Sequence, residues 1–298
     1  MERKYSSAER LPILMIVVGR QRVGKTSFLN TTAQFLRAHG AEFQIWDADK
    51  LNTTYNMSIF HGDARQPKSL DPEDIKAWLE ERFIELVTER FDAMLDIGGG
   101  DTPLARLVQD VPVVATLEGE GVRVVLVHVI GPELADLDYL ERFAEDELLA
   151  PEATLIVMNS GLVLSGRSNE VAFSQILDQP AIARAVRKGA RIVTMPRLNC
   201  MSQVTDRGMM FEDAMNGLAK PGGKPLSLFD KVRVRQWWED ELPGLFFERI
   251  PPLWLPEMHE RQESATMLAG TEPKRREKGS RSSAELSGAP GQDTQAAP

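Results

Sequence analysis

An α/β domain, layered around a central and mostly parallel sheet, is the fold class that the chain predicts. Two observations carry this. Near-continuous apolar runs, suited to strands buried on both faces, recur at 11–18, 42–46, 91–97, 122–130, 154–158 and 191–195. Amphipathic stretches with helical spacing separate them, which is the alternation of right-handed strand–helix–strand units in a three-layer sandwich. The 298 residues are 42% hydrophobic and 27% charged, enough apolar material for one sizeable core. A single domain over 11–255 is expected, after a polar lead at 1–10.

The elements follow in chain order. The run at 11–18 leads into a glycine turn and a lysine, not a small-residue cleavage site, so it reads as a strand and not a signal peptide. A helix is expected over 25–39. The strand at 42–46 closes on Trp46-Asp47-Ala48-Asp49. Over 71–90, Ile75, Trp78, Leu79, Phe83, Leu86 and Val87 share one helical face, with Asp71 as N-cap and Pro72 at the first helical position. Helices are also expected over 133–149 and 170–188, the second with a break at Pro180. The part from 197 to 255 is less regular, with helical patterns at 211–218 and 228–242. Pro243-Gly244 should end the latter, and LFFERIPPLWLP holds too many prolines for a long helix. From 256 the composition turns to Glu, Arg, Lys, Ser, Gly, Pro and Ala without aromatics, which predicts a disordered tail over 256–298.

Charge and cysteine usage exclude several classes. A net charge of -9 gives no whole-molecule drive toward nucleic acid. The single cysteine, Cys200, rules out an intramolecular disulfide framework and a multi-cysteine zinc site, and fits a reducing cytoplasm. No apolar run reaches bilayer-spanning length, so no transmembrane segment is expected and a cytoplasmic location is.

The chemistry concentrates in Gly19-Arg20-Gln21-Arg22-Val23-Gly24-Lys25-Thr26, which matches G-x-x-x-x-G-K-[ST], the P-loop. Its glycines let the backbone curl so that successive N–H groups face phosphate oxygens. The helix that starts near Gly24 adds its positive end. Lys25 would reach the β- and γ-phosphates, and the Thr26 hydroxyl would ligate Mg²⁺. The phosphate-facing set is Gly19, Gln21, Arg22, Val23, Gly24, Lys25, Thr26 and Ser27, and the expected cofactors are ATP and Mg²⁺.

Two acidic strand ends follow. Asp96, before Gly98-Gly99-Gly100-Asp101, stands where a carboxylate would hold Mg²⁺ through water. Glycines there would let the loop move with the γ-phosphate. A plain strand-end turn is the alternative. In Trp46-Asp47-Ala48-Asp49, a carboxylate would orient attacking water or reach Mg²⁺ indirectly, or cap the next turn. Asp47 is placed with Thr26 and Asp96 in the metal set. Asp49 is placed with Lys25 and Arg20 in the catalytic set.

In its order of P-loop, D-x-D strand end (Asp47, Asp49) and strand-end aspartate with glycines (Asp96), the chain over about 11–200 resembles the ParA/MinD family of deviant P-loop ATPases, in the SIMIBI class. The resemblance implies a P-loop NTPase fold and an ATP-dependent dimer that sandwiches two nucleotides, with a partner protein or other cargo. It implies that Asp49 orients water and Asp96 serves the Mg²⁺. Members carry a signature lysine directly after the first loop glycine. This chain has Arg20 there, either a finger that reaches across a dimer or an idle loop residue. Asn159 falls where the family reads adenine, with a turn residue before Gly161 as the alternative, and Pro196-Arg197 resembles its second base-side loop. A switch in plasmid partition, stability or conjugative transfer is the function that the resemblance implies. A P-loop kinase or related phosphoryl-transfer enzyme is one alternative, and a nucleotide-gated adaptor with little hydrolysis is another.

Outside the motifs, Lys220, Lys224, Lys231, Arg233 and Arg235 would meet DNA phosphates or form a solvated helix face, and Glu239, Asp240 and Glu241 directly after them favour the latter. Trp237, Trp238, Phe246, Phe247 and Trp254 would form a partner surface or pack a C-terminal helix on the sheet.

Overall fold

A computed structural model of the chain describes residues 10–49, 55–98, 102–145 and 150–258. In chain order the main elements are β1 (Ile13–Val18), α1 (Lys25–Ala38), β2 (Gln44–Asp47), α2 (Met57–Phe60), α3 (Pro72–Glu89), β3 (Ala93–Asp96), α4 (Thr102–Asp110), α5 (Val113–Gly119), β4 (Arg123–Ile130), α6 (Asp138–Glu145), β5 (Ala153–Asn159), α7 (Asn169–Leu177), α8 (Pro180–Arg187), β6 (Arg191–Met195), α9 (Met201–Thr205), α10 (Phe211–Asn216) and α11 (Leu228–Gln236). The strands form one sheet in the order β2-β3-β1-β4-β5-β6. Every pairing in it is parallel. This is the α/β architecture of P-loop NTPases.

The alternation of side chains along β1 shows why the sheet needs cover on both faces. Ile13, Met15 and Val17 enter a core with α1 and the C-terminal helices, through Phe28, Phe35, Phe211, Trp237 and Phe246. Leu14, Ile16 and Val18 enter a second core with α3, α4 and α5, through Ile75, Leu79, Leu86 and Leu107. A third cluster seats α7 and α8 through Phe173, Ile176 and Ile182. Three layers result, and the carboxyl ends of all strands open on one side.

Local chemistry sets the boundaries. The Asp71 carboxylate accepts from the Glu73 and Asp74 amides and starts α3 at Pro72. Pro180 starts α8, which separates it from α7. Gly217 in the left-handed conformation ends α10 at Asn216, two residues before the expected limit.

Four expectations are corrected. Pro243-Gly244 does not end the C-terminal helix. After Gln236 the chain passes into π-helical turns at Trp237–Glu241 and Gly244–Arg249, with Pro243 itself in helical conformation. The wider turns on either side of it relieve the clash that a proline imposes on an α-helix, although its N–H bond is still absent. This keeps Trp237, Trp238 and Phe246 buried on the sheet, while Phe247 stays exposed. At the chain's start, Arg10 belongs with the domain and not with a free lead, since it pairs with Asp92 at 2.8 Å and donates to the Leu255 carbonyl. At the other end, Leu255 and Pro256 are buried and Met258 packs against the first core, so order extends past 255. Helix 133–149 starts instead as a short 3-10 turn, Leu134–Leu137, before α6. The rest of the expected tail, residues 259–298, together with 1–9, 146–149 and Gly99-Gly100-Asp101, lies outside the described residues. Among the described residues no helix is long and apolar enough to cross a membrane.

Candidate functional site

The site begins where β1, the strand fourth from the β6 edge, releases the chain at Val18. Gly19 has φ +143°, and a side chain there would lie 2.5 Å from the Val129 carbonyl. Arg22 takes φ 67°, uncommon for a residue with a side chain. Gly24 has φ +95°, and a Cβ there would sit 2.4 Å from Asn159 Nδ2. These three positions curl the loop. The curl delivers α1, whose N-cap Gly24 offers no side-chain acceptor. Among the described residues the amides of Arg22, Val23, Gly24 and Lys25 donate to no protein oxygen. A helix N-terminus with free amides and buried flanks is an anion-binding arrangement.

Lys25 is buried and lies across the loop, its ammonium donating to the carbonyls of Gly19 at 2.9 Å and Arg20 at 3.3 Å. The positive group is thus parked inside the concavity, on weak acceptors that a phosphate would displace. Gln21 and Arg22 are exposed, Val23 is buried and Ser27 half-buried.

Beside it, the Thr26 hydroxyl donates to Asp96 Oδ2 at 2.8 Å. Parallel pairing sets this contact: β3 is the direct neighbour of β1, with Asp96 level with Val17. Asp96 is fully buried, and its Oδ1 has no partner among the described residues. Burial pushes its carboxyl up to about 7, against the Thr26 bond and despite Lys25 nearby, with Asp47 and Asp49 adding to the rise. A hydroxyl and a carboxylate with a spare buried oxygen are hard donors of the type that Mg²⁺ takes, one or two from protein and the rest from phosphate and water. The residues present therefore fit that ion.

Asp47 lies level with Asp96 on the next strand. It is also fully buried, but its Oδ2 accepts from the Ser58 amide at 3.2 Å and Gln66 Nε2 at 2.8 Å. Its contacts brace the segment after β2, and burial raises its pKa. Asp49 meets the end of β3: a Cβ at Gly98 would lie 2.8 Å from Asp49 Oδ1. The strand ends that carry Asp49 and Asp96 are therefore brought together, with Asp96 in contact with Thr26 at the start of α1.

Arg20 does not stand free. Its guanidinium donates to Glu133 Oε2 at 2.9 Å and lies 3.6 Å from Asp136 Oδ1. Asp136 is buried and accepts from the Gly131 amide at 3.0 Å, which fixes this acidic receptor at the end of β4. Glu133 and Asp136 stood in an expected helix and carried no signal for this role. On the far side, Asn159 Nδ2 donates to the Val23 carbonyl at 2.8 Å and Asn159 Oδ1 accepts from the Gly161 amide at 2.9 Å. The protein holds this amide on both sides, so it braces the loop. Next to it a cleft of about 690 Å³ runs past Ser160, Thr194, Pro196 and Arg197 to Asp240 and Glu241 of the C-terminal helix. Arg197 donates to the Val163 carbonyl within that wall.

No protein-family model matches the chain, and no curated protein matches it. Among solved structures it is similar to MinD cell division protein of Aquifex aeolicus, at 15% identity and TM-score 0.41 over 80% of this chain and 98% of that one. It is also similar to the signal recognition particle 54 kDa protein of Aeropyrum pernix in complex with GDP, at 19% identity, TM-score 0.38 and 62% of this chain. A third is signal recognition particle receptor FtsY of Elizabethkingia anophelis in complex with GDP, at 14% identity, TM-score 0.38 and 78% of this chain. The chain spans 42% of the first of these particle proteins and 65% of the second, under two thirds of each. At these identities and scores no residue's role is carried over from them.

Proposed function

We propose that the chain binds a nucleoside triphosphate with Mg²⁺ at Gly19 to Ser27 and acts as a slow NTPase switch of the ParA/MinD type. The observation that carries this is the curled loop between β1 and α1, with its unengaged amides around the Lys25 ammonium. Lys25 exchanges two backbone carbonyls for β- and γ-phosphate oxygens, and Thr26 and Asp96 hold the ion. When bound, Mg²⁺ supplies charge neutralisation of the phosphate oxygens. In this reading Asp49, beside Gly98, orients water at the γ-phosphate. Asn159 positions the loop, and the cleft past Ser160 and Pro196 is the side on which the nucleoside end lies. ATP is favoured by the sequence, which lacks a guanine-reading N-K-x-D. Partition, stability or transfer of a plasmid is the setting that the motif order suggests, with an ATP-dependent homodimer and a protein partner.

The Arg20–Glu133 contact favours the low-hydrolysis form of this reading. An arginine held in cis by a carboxylate contributes nothing to transition-state charge until that bond opens. Direct binding of ATP, ADP and GTP by equilibrium dialysis, with and without Mg²⁺, tests the proposal. Micromolar ATP affinity that vanishes in Lys25→Ala is expected. Equal affinity in wild type and Lys25→Ala would reject the site.

A further inference from the structure

α1 carries a buried polar stripe, unusual for a helix packed between a sheet and other helices. Asn30, Thr31 and Gln34 are at most 4% exposed, one turn apart, and they follow directly on Thr26 and Ser27. Asn30 Oδ1 accepts from Gln34 Nε2 at 2.9 Å and from His61 Nε2 at 3.0 Å. The other nitrogen of His61 faces Arg37 Nη1 at 3.3 Å. A guanidinium only donates, so His61 Nδ1 is the acceptor and Nε2 carries the proton. Gln34 Oε1 accepts from the Phe211 amide at 2.7 Å, the first residue of α10. Phe211 in turn packs on Trp237 and Trp238, with ring centroids 5.0 and 5.6 Å away.

These bonds add directional links among three parts of the molecule that also share the first apolar core. One is the phosphate loop, through the first turn of α1. The second is the segment after β2, which Asp47 holds through Ser58 and Gln66 and which contains His61. The third is the α10–α11 layer, whose outer face exposes Leu218, Leu228, Phe229 and Val232. The network is also incomplete. Thr31 Oγ1 is buried without a partner among the described residues. A buried hydroxyl without a partner is costly, so an arrangement that satisfies it is within reach of the fold. A packed polar network with two arrangements is the kind of element that couples distant sites.

We infer that the Asn30–Gln34 stripe relays occupancy of the phosphate loop to α10 and α11, and makes their packing depend on bound nucleotide. This rests on the proposed nucleotide site. It adds a named path from that site to a second surface 177 residues away in sequence from Gln34. Gln34 is a positioning residue in this scheme and touches no ligand.

The test is hydrogen exchange at 211–236, read by mass spectrometry with and without ATP and Mg²⁺, in wild type, Gln34→Met and Gln34→Glu. ATP affinity is measured by dialysis on the same samples. The wild type should show at least a twofold nucleotide-dependent change in exchange across 211–216. Gln34→Met, which cannot accept from the Phe211 amide, should lose that change while ATP affinity stays within about threefold of wild type. Gln34→Glu keeps the acceptor for the Phe211 amide but loses the Nε2 donation to Asn30 Oδ1, so it should lose that change as well. A response that persists in Gln34→Met overturns the relay, as does ATP binding to wild type without any response. Absence of ATP binding to wild type defeats the nucleotide reading itself, which dialysis distinguishes. Urea unfolding of each variant, cooperative and with unchanged slope, shows that the fold is intact.

Discussion

The Thr26 hydroxyl and Asp96 Oδ2 meet at 2.8 Å although the residues stand 70 positions apart. The contact joins the start of α1 to the end of β3 and leaves one buried carboxylate oxygen without a partner among the described residues. Asp96→Asn would keep an acceptor for Thr26 and remove the charge. Turnover of ATP with Mg²⁺ should fall on the order of 100-fold. Urea stability without nucleotide should be unchanged or higher, because a desolvated carboxyl is removed. Wild-type turnover in this variant would remove Asp96 from the metal set.

Gly24→Ala should be among the most damaging single-atom changes in the loop. The backbone there is at φ +95°, and the new methyl would lie 2.4 Å from Asn159 Nδ2. Strain of this type costs about 1–3 kcal/mol, and the displaced amides should weaken triphosphate binding. Thermal unfolding and dialysis at wild-type level would show that the loop does not need this curl.

Arg20 and Glu133 are both solvent-exposed, so their pairing adds little to stability. Its effect should be kinetic. Glu133→Gln should raise ATP turnover severalfold if Arg20 acts on phosphate charge, and Arg20→Ala should abolish that gain. Light scattering on the same proteins, with ATP against ADP, reads whether Arg20 also supports a dimer. Identical rates in all three proteins would make Arg20 an idle loop residue.

Two histidines set an acid limit. Burial lowers His61 and His128 from the ordinary 6.5 to about 4, with Arg37 adding to the effect at His61. Both are neutral in the folded chain and protonate in the unfolded chain below 6.5. Stability from each is complete above that pH and is lost as pH falls toward 4. Between pH 7 and pH 5 the loss is about 2 kcal/mol per histidine. His61→Gln should show the smaller loss by about that amount in urea unfolding at the two pH values. Parallel pH curves would mean that His61 titrates alike in the folded and the unfolded chain.

Much of the architecture was legible because parallel strands buried on both faces leave apolar runs that a polar chain cannot imitate. All six runs became strands, each within about two residues of its expected limits. The P-loop was legible for a related reason, since Gly19, Gly24, Lys25 and Thr26 are fixed by backbone geometry and charge within eight positions. Short helices such as α2, α5 and α9 were not, because a few residues hold too little periodicity to exceed the noise of composition. Nor was the passage through Pro243, where burial of Trp237, Trp238 and Phe246 outweighs the proline's local preference for a break.

By itself, then, the sequence determined the layered fold, the position of the phosphate loop and the acidic residues at its strand ends, all features encoded within short stretches of chain. Only the tertiary structure decided which acids meet Thr26 and which brace a neighbouring segment, for that depends on strand order and register. It also decided that Arg20 is held by Glu133, that Asn159 clamps the loop from 136 positions away, and that Gln34 reaches Phe211. Those contacts join residues distant in the chain, and no local pattern of spacing or polarity specifies a partner that packing alone brings within bonding distance.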